Sequence, residues 1–141
     1  DMYRQFVVPC ERGVTDALHC EFPDLPIYMH TCGKLGDRLE LLAETGTDGV
    51  DTLDPPPLGN TRLEDAKRRI GDHLFIKGNI DPVNTLLRGN RDQVSSDVSA
   101  ILRTAAPVMD GFILSSACSV APPVPPDNLK QAVDLCRNFN P

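Results

Sequence analysis

The residues best suited to chemistry in this chain are His30 and Cys32, separated by one threonine, and Cys118 far downstream. In an extended segment residues i and i+2 project to the same side, so a strand ending at His30 lets both groups face one small volume. One imidazole and two thiolates form a soft donor set suited to zinc, and three protein ligands leave a fourth tetrahedral position for water or substrate. A substrate thiol bound at such an ion loses its proton and stays nucleophilic near neutral pH, so thiol alkylation is the natural use. The blander alternative is that Cys packs as a small hydrophobe and a strand-end His only hydrogen-bonds. The metal reading therefore requires a fold that returns Cys118 to His30 and Cys32.

Other candidates carry less chemistry. Gly78-Asn79-Ile80-Asp81-Pro82 closes a strand, and Asn79 and Asp81 are expected to reach the same mouth and line a cofactor-binding surface, with ordinary turn formation as the competing reading. Cys10, Cys20 and Cys136 have no partner at ligand spacing and are expected to pack inertly. His19 and His73 stand beside turns, where solvated surface is the expected role. Lys67-Arg68-Arg69 reads as a solvated helix face. Gly33 and Gly36 complete neither phosphate-loop pattern, so no nucleotide site is assigned. Five cysteines are an odd number without a small-domain disulfide framework.

The elements that must position these groups alternate. Met2 to Leu18 shows helical spacing of Phe6, Val7, Val14, Ala17 and Leu18. Pro26 to His30 is a buried strand, and Leu35 to Glu44 is an amphipathic helix stopped at Gly46. Asp48 to Leu53 is a second strand and Arg62 to Ile70 a helix ended by Gly71. Leu74 to Lys77 is a third strand closed by Gly78-Asn79, followed by helix from Pro82 and again over Gln93 to Ala106. Gly111 to Ser115 is a fourth strand, and Asp127 to Asn138 a final helix with Asp127 as its N-cap. Strands and helices in this order imply an α/β fold with a parallel sheet, either open and doubly wound or part of an eight-fold barrel. Four strands cannot close that barrel, so two edges are left for a second copy of the chain or for further barrel strands.

Composition narrows the partners. With 141 residues the chain is read as one unit, 1–141. No apolar run approaches the roughly 20 residues of a membrane span. The net charge of −6 and pI of about 4.9 have the wrong sign for tracking phosphates, so neither membrane nor nucleic acid is an expected partner. No charged-then-apolar leader opens the sequence, and the expected location is cytoplasmic.

Taken in order, His30-Thr31-Cys32-Gly33, Gly49-Val50-Asp51, Lys77-Gly78-Asn79-Ile80-Asp81-Pro82, Gly111-Phe112-Ile113-Leu114-Ser115-Ser116-Ala117-Cys118 and Pro125-Pro126-Asp127-Asn128-Leu129 resemble the C-terminal part of the uroporphyrinogen decarboxylase superfamily. The similarity runs from about Tyr28 to Leu135 and is greater to the zinc-dependent methylcobamide:coenzyme M and related corrinoid methyltransferases than to the decarboxylases. The resemblance implies the C-terminal four strand–helix units of a (β/α)8 TIM barrel, with a further N-terminal stretch in the family. It also implies His30, Cys32 and Cys118 as zinc ligands, a methylcobamide donor on a partner corrinoid protein, and a small-molecule thiol as acceptor. Asn79 and Asp81 would shape the mouth. The alternatives within the same resemblance are a metal-free carboxy-lyase acting on a tetrapyrrole and a non-catalytic half barrel.

Overall fold

The structure is a computed structural model that describes residues 1–106 and 111–140. A π-helical segment Tyr3–Val7 runs into α1 (Val8–Glu21), followed by β1 (Tyr28–Thr31), α2 (Leu39–Ala43), β2 (Gly49–Thr52) and α3 (Leu63–Ile70). Then come β3 (Phe75–Ile80), a second π-helical segment Pro82–Leu87, α4 (Arg91–Ala105), β4 (Phe112–Ser116) and α5 (Pro126–Arg137). The strands pair in the order β1-β2-β3-β4, and every pairing is parallel. A doubly wound sheet breaks sequential order at its switch point, whereas a barrel winds without reversal. The chain thus forms four consecutive strand–helix units of a (β/α)8 barrel. No helix among the described residues is long and apolar enough to cross a membrane.

Period-two alternation gives the sheet two unlike faces. Met29, Val50, Ile76 and Phe112 lie on the face covered by α2 and α3, packing with Leu39, Leu42, Leu63, Ala66 and Ile70. Val50 and Ile76 are fully buried, each worth about 1.5–3 kcal/mol relative to exposure. Leu114 joins a second cluster with Val94, Val98 and Leu102 of α4 and Ala132 of α5. The opposite face carries Tyr28, His30, Asp51, Lys77 and Ile113, and the registers put His30, Asp51, Lys77 and Ile113 side by side in one row across the four strands. Gly49 sits between Tyr28 and Phe75, whose rings meet edge to face at 5.9 Å. A Cβ at Gly49 would fall 2.5 Å from the Phe75 ring, so glycine is what admits this contact.

Several local expectations differ from the structure. The helical pattern of Met2 to Leu18 is present, but most of its apolar positions are uncovered: Phe6 is 61 % and Val14 62 % exposed, while Val7 is half-buried. This helix is tied down by polar contacts instead, from Arg4 to Glu44 and from His19 to Asp48. The helix expected over Leu35 to Glu44 shortens to α2, with Leu35 buried ahead of it. The third strand does not close at Gly78-Asn79 but runs on to Ile80, pairing Asn79 with Ser115 and Ile80 with Ser116. Gly78 permits this, since its φ is +152° and a Cβ there would lie 2.5 Å from the Thr52 carbonyl. Asp127 is not an N-cap: α5 starts one residue earlier, with Pro126 at a position that needs no backbone N–H, and Asp127 lies in the first turn.

Candidate metal centre

His30 is at the C-terminal end of β1 and Cys32 two residues on, so strand geometry alone aims both the same way. Cys32 Sγ lies 3.5 Å from His30 Nε2. It also lies 3.5 Å from Cys118 Sγ, which is reached from the end of β4. All three donor atoms fall within 4.8 Å of one another, and among the described residues they form the one such cluster of His, Cys, Asp or Glu donors. In a flat sheet β1 and β4 would stand about 14 Å apart, three strand spacings. Barrel curvature turns their inner-face side chains toward a common axis and removes that gap.

Backbone contacts fix the two loops. Thr52 and Leu53 adopt φ of +89° and +49°, a sharp turn at the end of β2 that is uncommon for such residues. Asp54 follows and accepts the Gly33 N–H at 2.7 Å, holding the loop that contains Cys32. The Thr52 hydroxyl donates to the Thr31 carbonyl. On the other side Ala117 N–H donates to the Ile80 carbonyl at 2.7 Å, and Ser116 Oγ donates to the Cys118 carbonyl at 2.7 Å.

Asp51, in register with His30 on β2, completes the arrangement. Its Oδ2 accepts from His30 Nδ1 at 2.8 Å and from Lys77 Nζ at 2.9 Å, while Oδ1 accepts the Thr52 N–H at 2.9 Å. A carboxylate offers no proton, so Nδ1 carries the hydrogen of this bond and Nε2 is the nitrogen turned toward the Cys32 thiol. Burial by itself raises the Asp51 pKa, but the hydrogen bonds from His30, Lys77 and Thr52 outweigh it and hold the carboxyl below its ordinary value. The Cys32 thiol is pushed up, first by its hydrogen bond with Cys118 and then by burial and the nearby charges of Asp54 and Asp51. A divalent cation held here would reverse that balance, because it favours thiolate over thiol.

Both contacts of Cys32 have the spacing that a tetrahedral ion requires. Bonds of 2.0–2.3 Å at tetrahedral angles require N···S and S···S separations of about 3.5–3.8 Å, close to the 3.5 Å found for both contacts of Cys32. The second nitrogen of His30 is held by a carboxylate, the arrangement usual for metal-bound imidazole.

Asn79 and Asp81 occupy a different place. Asn79 is buried and its Nδ2 donates to the Leu53 carbonyl at 3.2 Å. Asp81 caps the Pro82–Leu87 segment by accepting from Val83 N and Asn84 N, both at 2.8 Å. Both residues line an open cavity of about 550 Å³ that Pro55, Asp97 and Thr104 also border, and none of the three clustered donors lines it. The remaining cysteines depart from expectation, since Cys10, Cys20 and Cys136 are exposed rather than packed. His19 is half-buried and bonded to Asp48 at 2.9 Å instead of solvated, whereas His73 is exposed. Lys67 and Arg69 are not a free basic face: Lys67 donates to the Thr104 carbonyl, and Arg69 clamps Glu40 and the Gly36 carbonyl.

Residues 1–139 match the family of uroporphyrinogen decarboxylase (URO-D). The chain belongs to the uroporphyrinogen decarboxylase family. Among curated relatives it is 28 % identical to the uroporphyrinogen decarboxylase of Picosynechococcus sp., covering 96 % of this chain and 36 % of that protein. It is 29 % identical to that of Legionella pneumophila strain Lens, covering 99 % of this chain and 37 % of the relative. The chain therefore spans little more than a third of the length of the relatives it matches. A solved methyltransferase from Methanosarcina mazei superposes with a TM-score of 0.80 at 23 % identity, over 97 % of this chain and 36 % of that one. As a member of the uroporphyrinogen decarboxylase family the chain has the strand order and the C-terminal rim on which barrel enzymes gather their working residues.

Asp51, which bonds His30 and Lys77, is the member of this cluster that sequence reasoning leaves without a role. Its signal is a carboxylate in the middle of the strand-like run Gly49-Val50-Asp51-Thr52-Leu53, directly beside the apolar-face residue Val50. A buried charge in a strand calls for partners on the neighbouring strands.

Proposed function

We propose that this chain contributes the zinc site of a methyltransferase that moves a methyl group from a methylated corrinoid, carried on a partner protein, to a thiol. The observation that supports it is the convergence of His30 Nε2, Cys32 Sγ and Cys118 Sγ within 4.8 Å. These residues would hold the ion, and zinc bound by one imidazole and two thiolates supplies Lewis acidity that keeps a small-molecule thiol deprotonated near neutral pH. Asp51 keeps the His30 proton on Nδ1 and so keeps Nε2 available. The Asp54 bond to Gly33 holds the loop that carries Cys32. His30 and Cys32 are exposed on the rim, where a methylcobamide presented by another protein has access.

A metal-free carboxy-lyase acting on a tetrapyrrole is the second reading, favoured by the names of the curated relatives. That chemistry leaves two rim thiols 3.5 Å apart without a task, which is the reason for preferring methyl transfer. Zinc analysis of the purified chain after gel filtration separates the two. About one zinc per chain, absent from Cys32→Ser, agrees with the proposal; a folded chain that retains no zinc and acquires none on titration rejects it. With the remaining barrel strands supplied, methyl transfer from methylcobalamin to a thiol is the direct assay.

A further inference from the structure

We infer that Lys77 is a positioning residue for the metal centre, holding the Asp51 carboxylate in the orientation that turns His30 Nε2 toward Cys32 and Cys118. This deepens the zinc reading of those three residues and rests on it.

The inference comes from the inner row of the sheet. His30, Asp51 and Lys77 are direct register neighbours on β1, β2 and β3, so their side chains leave the same face at adjacent strand spacings. Lys77 Nζ reaches Asp51 Oδ2, the same oxygen that His30 Nδ1 uses, at 2.9 Å. The ammonium also lies 5.1 Å from the centre of the Tyr28 ring, within cation–π range. Tyr28 is itself braced edge-on by Phe75. A lysine stem ordinarily samples many rotamers; here its head is gripped by a carboxylate on one side and a braced ring on the other.

Charge adds a second reason. Two thiolates, a neutral imidazole and a divalent ion sum to zero, and Asp51 with Lys77 sums to zero beside them. The Asp51 side chain is only 8 % exposed. Removing the lysine leaves a buried carboxylate without the ammonium that contacts it, a costly state that the site relieves by shifting the carboxylate and with it His30. An alternative task for Lys77, anchoring an anionic substrate, needs a free ammonium, whereas both of its partners here are internal.

The test compares the wild-type chain with Lys77→Met and Lys77→Arg, using zinc affinity by chelator competition and the His30 tautomer by long-range proton–nitrogen NMR on the metal-free chain. Expected are a single Nδ1–H tautomer in the wild type, a tautomer mixture with roughly tenfold weaker zinc binding in Lys77→Met, and recovery to within about twofold in Lys77→Arg. Should Lys77→Met not fold, Lys77→Gln replaces it with the same expected outcome. Normal wild-type affinity with tautomer and zinc constant unchanged in the lysine-removed variant overturns this inference alone. A wild-type chain without zinc affinity overturns both this inference and the proposed function.

Discussion

Two histidine–aspartate pairs flank β2, one at each end, built from the same parts at nearly the same distance. His19 Nε2 meets Asp48 Oδ2 at 2.9 Å, and His30 Nδ1 meets Asp51 Oδ2 at 2.8 Å. At the N-terminal end Asp48 also accepts the Ile27 N–H at 2.7 Å, so that pair fastens α1 to the approaches of β1 and β2. Its carboxylate is 42 % exposed against 8 % for Asp51. At the C-terminal end the free ring nitrogen faces two thiols, and the carboxylate is braced by Lys77. The difference teaches that a His–Asp pair is not in itself a site. What matters is which nitrogen the carboxylate occupies and what the other nitrogen sees, and in a barrel the two ends divide into stabilising and working groups.

The sharpest way to break this contrast is to remove a thiol. Cys118→Ser or Cys32→Ser is expected to reduce zinc from about one per chain to background, read by elemental analysis after dialysis against a chelator. His19→Ala should leave the metal content unchanged, and a loss there would erase the distinction between the two ends. Next in size, Asp51→Asn is expected to weaken zinc binding by about 10–100-fold in competition titrations, because the orienting charge behind the ligand is gone. Asp48→Asn, its counterpart, should lower stability by about 1 kcal/mol in urea denaturation with zinc affinity unaltered.

The smallest expected effect is on the acid limb. Burial raises the Asp48 pKa, but the Ile27 N–H and His19 bring it below its ordinary value of 3.8. A carboxyl lowered on folding stabilises the chain above that ordinary value, and the benefit disappears as pH falls through the lower folded one. Wild type should therefore lose stability more steeply than Asp48→Asn below about pH 4. Parallel acid limbs in the two proteins would deny Asp48 this role.

Much of the site is legible in the residues. The i, i+2 spacing of His30 and Cys32 on a strand end and the strand-end position of Cys118 identify the donors without any coordinates. The alternation of elements likewise reads as α/β with parallel strands. Three features escape because they depend on partners distant in sequence. Asp51 gains its meaning from registers with His30 and Lys77 on neighbouring strands. Gly78-Asn79 looks like a terminating turn, yet pairing with β4 carries the strand through it. The helical spacing of Phe6, Val7, Val14, Ala17 and Leu18 is legible, but periodicity says only that a face is apolar and not whether it is covered, and here Phe6 and Val14 are exposed.

The amino-acid sequence by itself determined the chemistry on offer, one imidazole and two thiols at strand ends, and the period-two pattern that gives each strand one face for helices and another for the barrel interior. Those properties follow from side-chain identity and local backbone geometry, which need no tertiary partner. Only the tertiary structure decided that Cys118 stands 3.5 Å from Cys32 and that Asp51 grips His30. The closeness of the sulfurs is set by sheet curvature and the grip on His30 by inter-strand register, both cooperative outcomes of packing four strands under their helices.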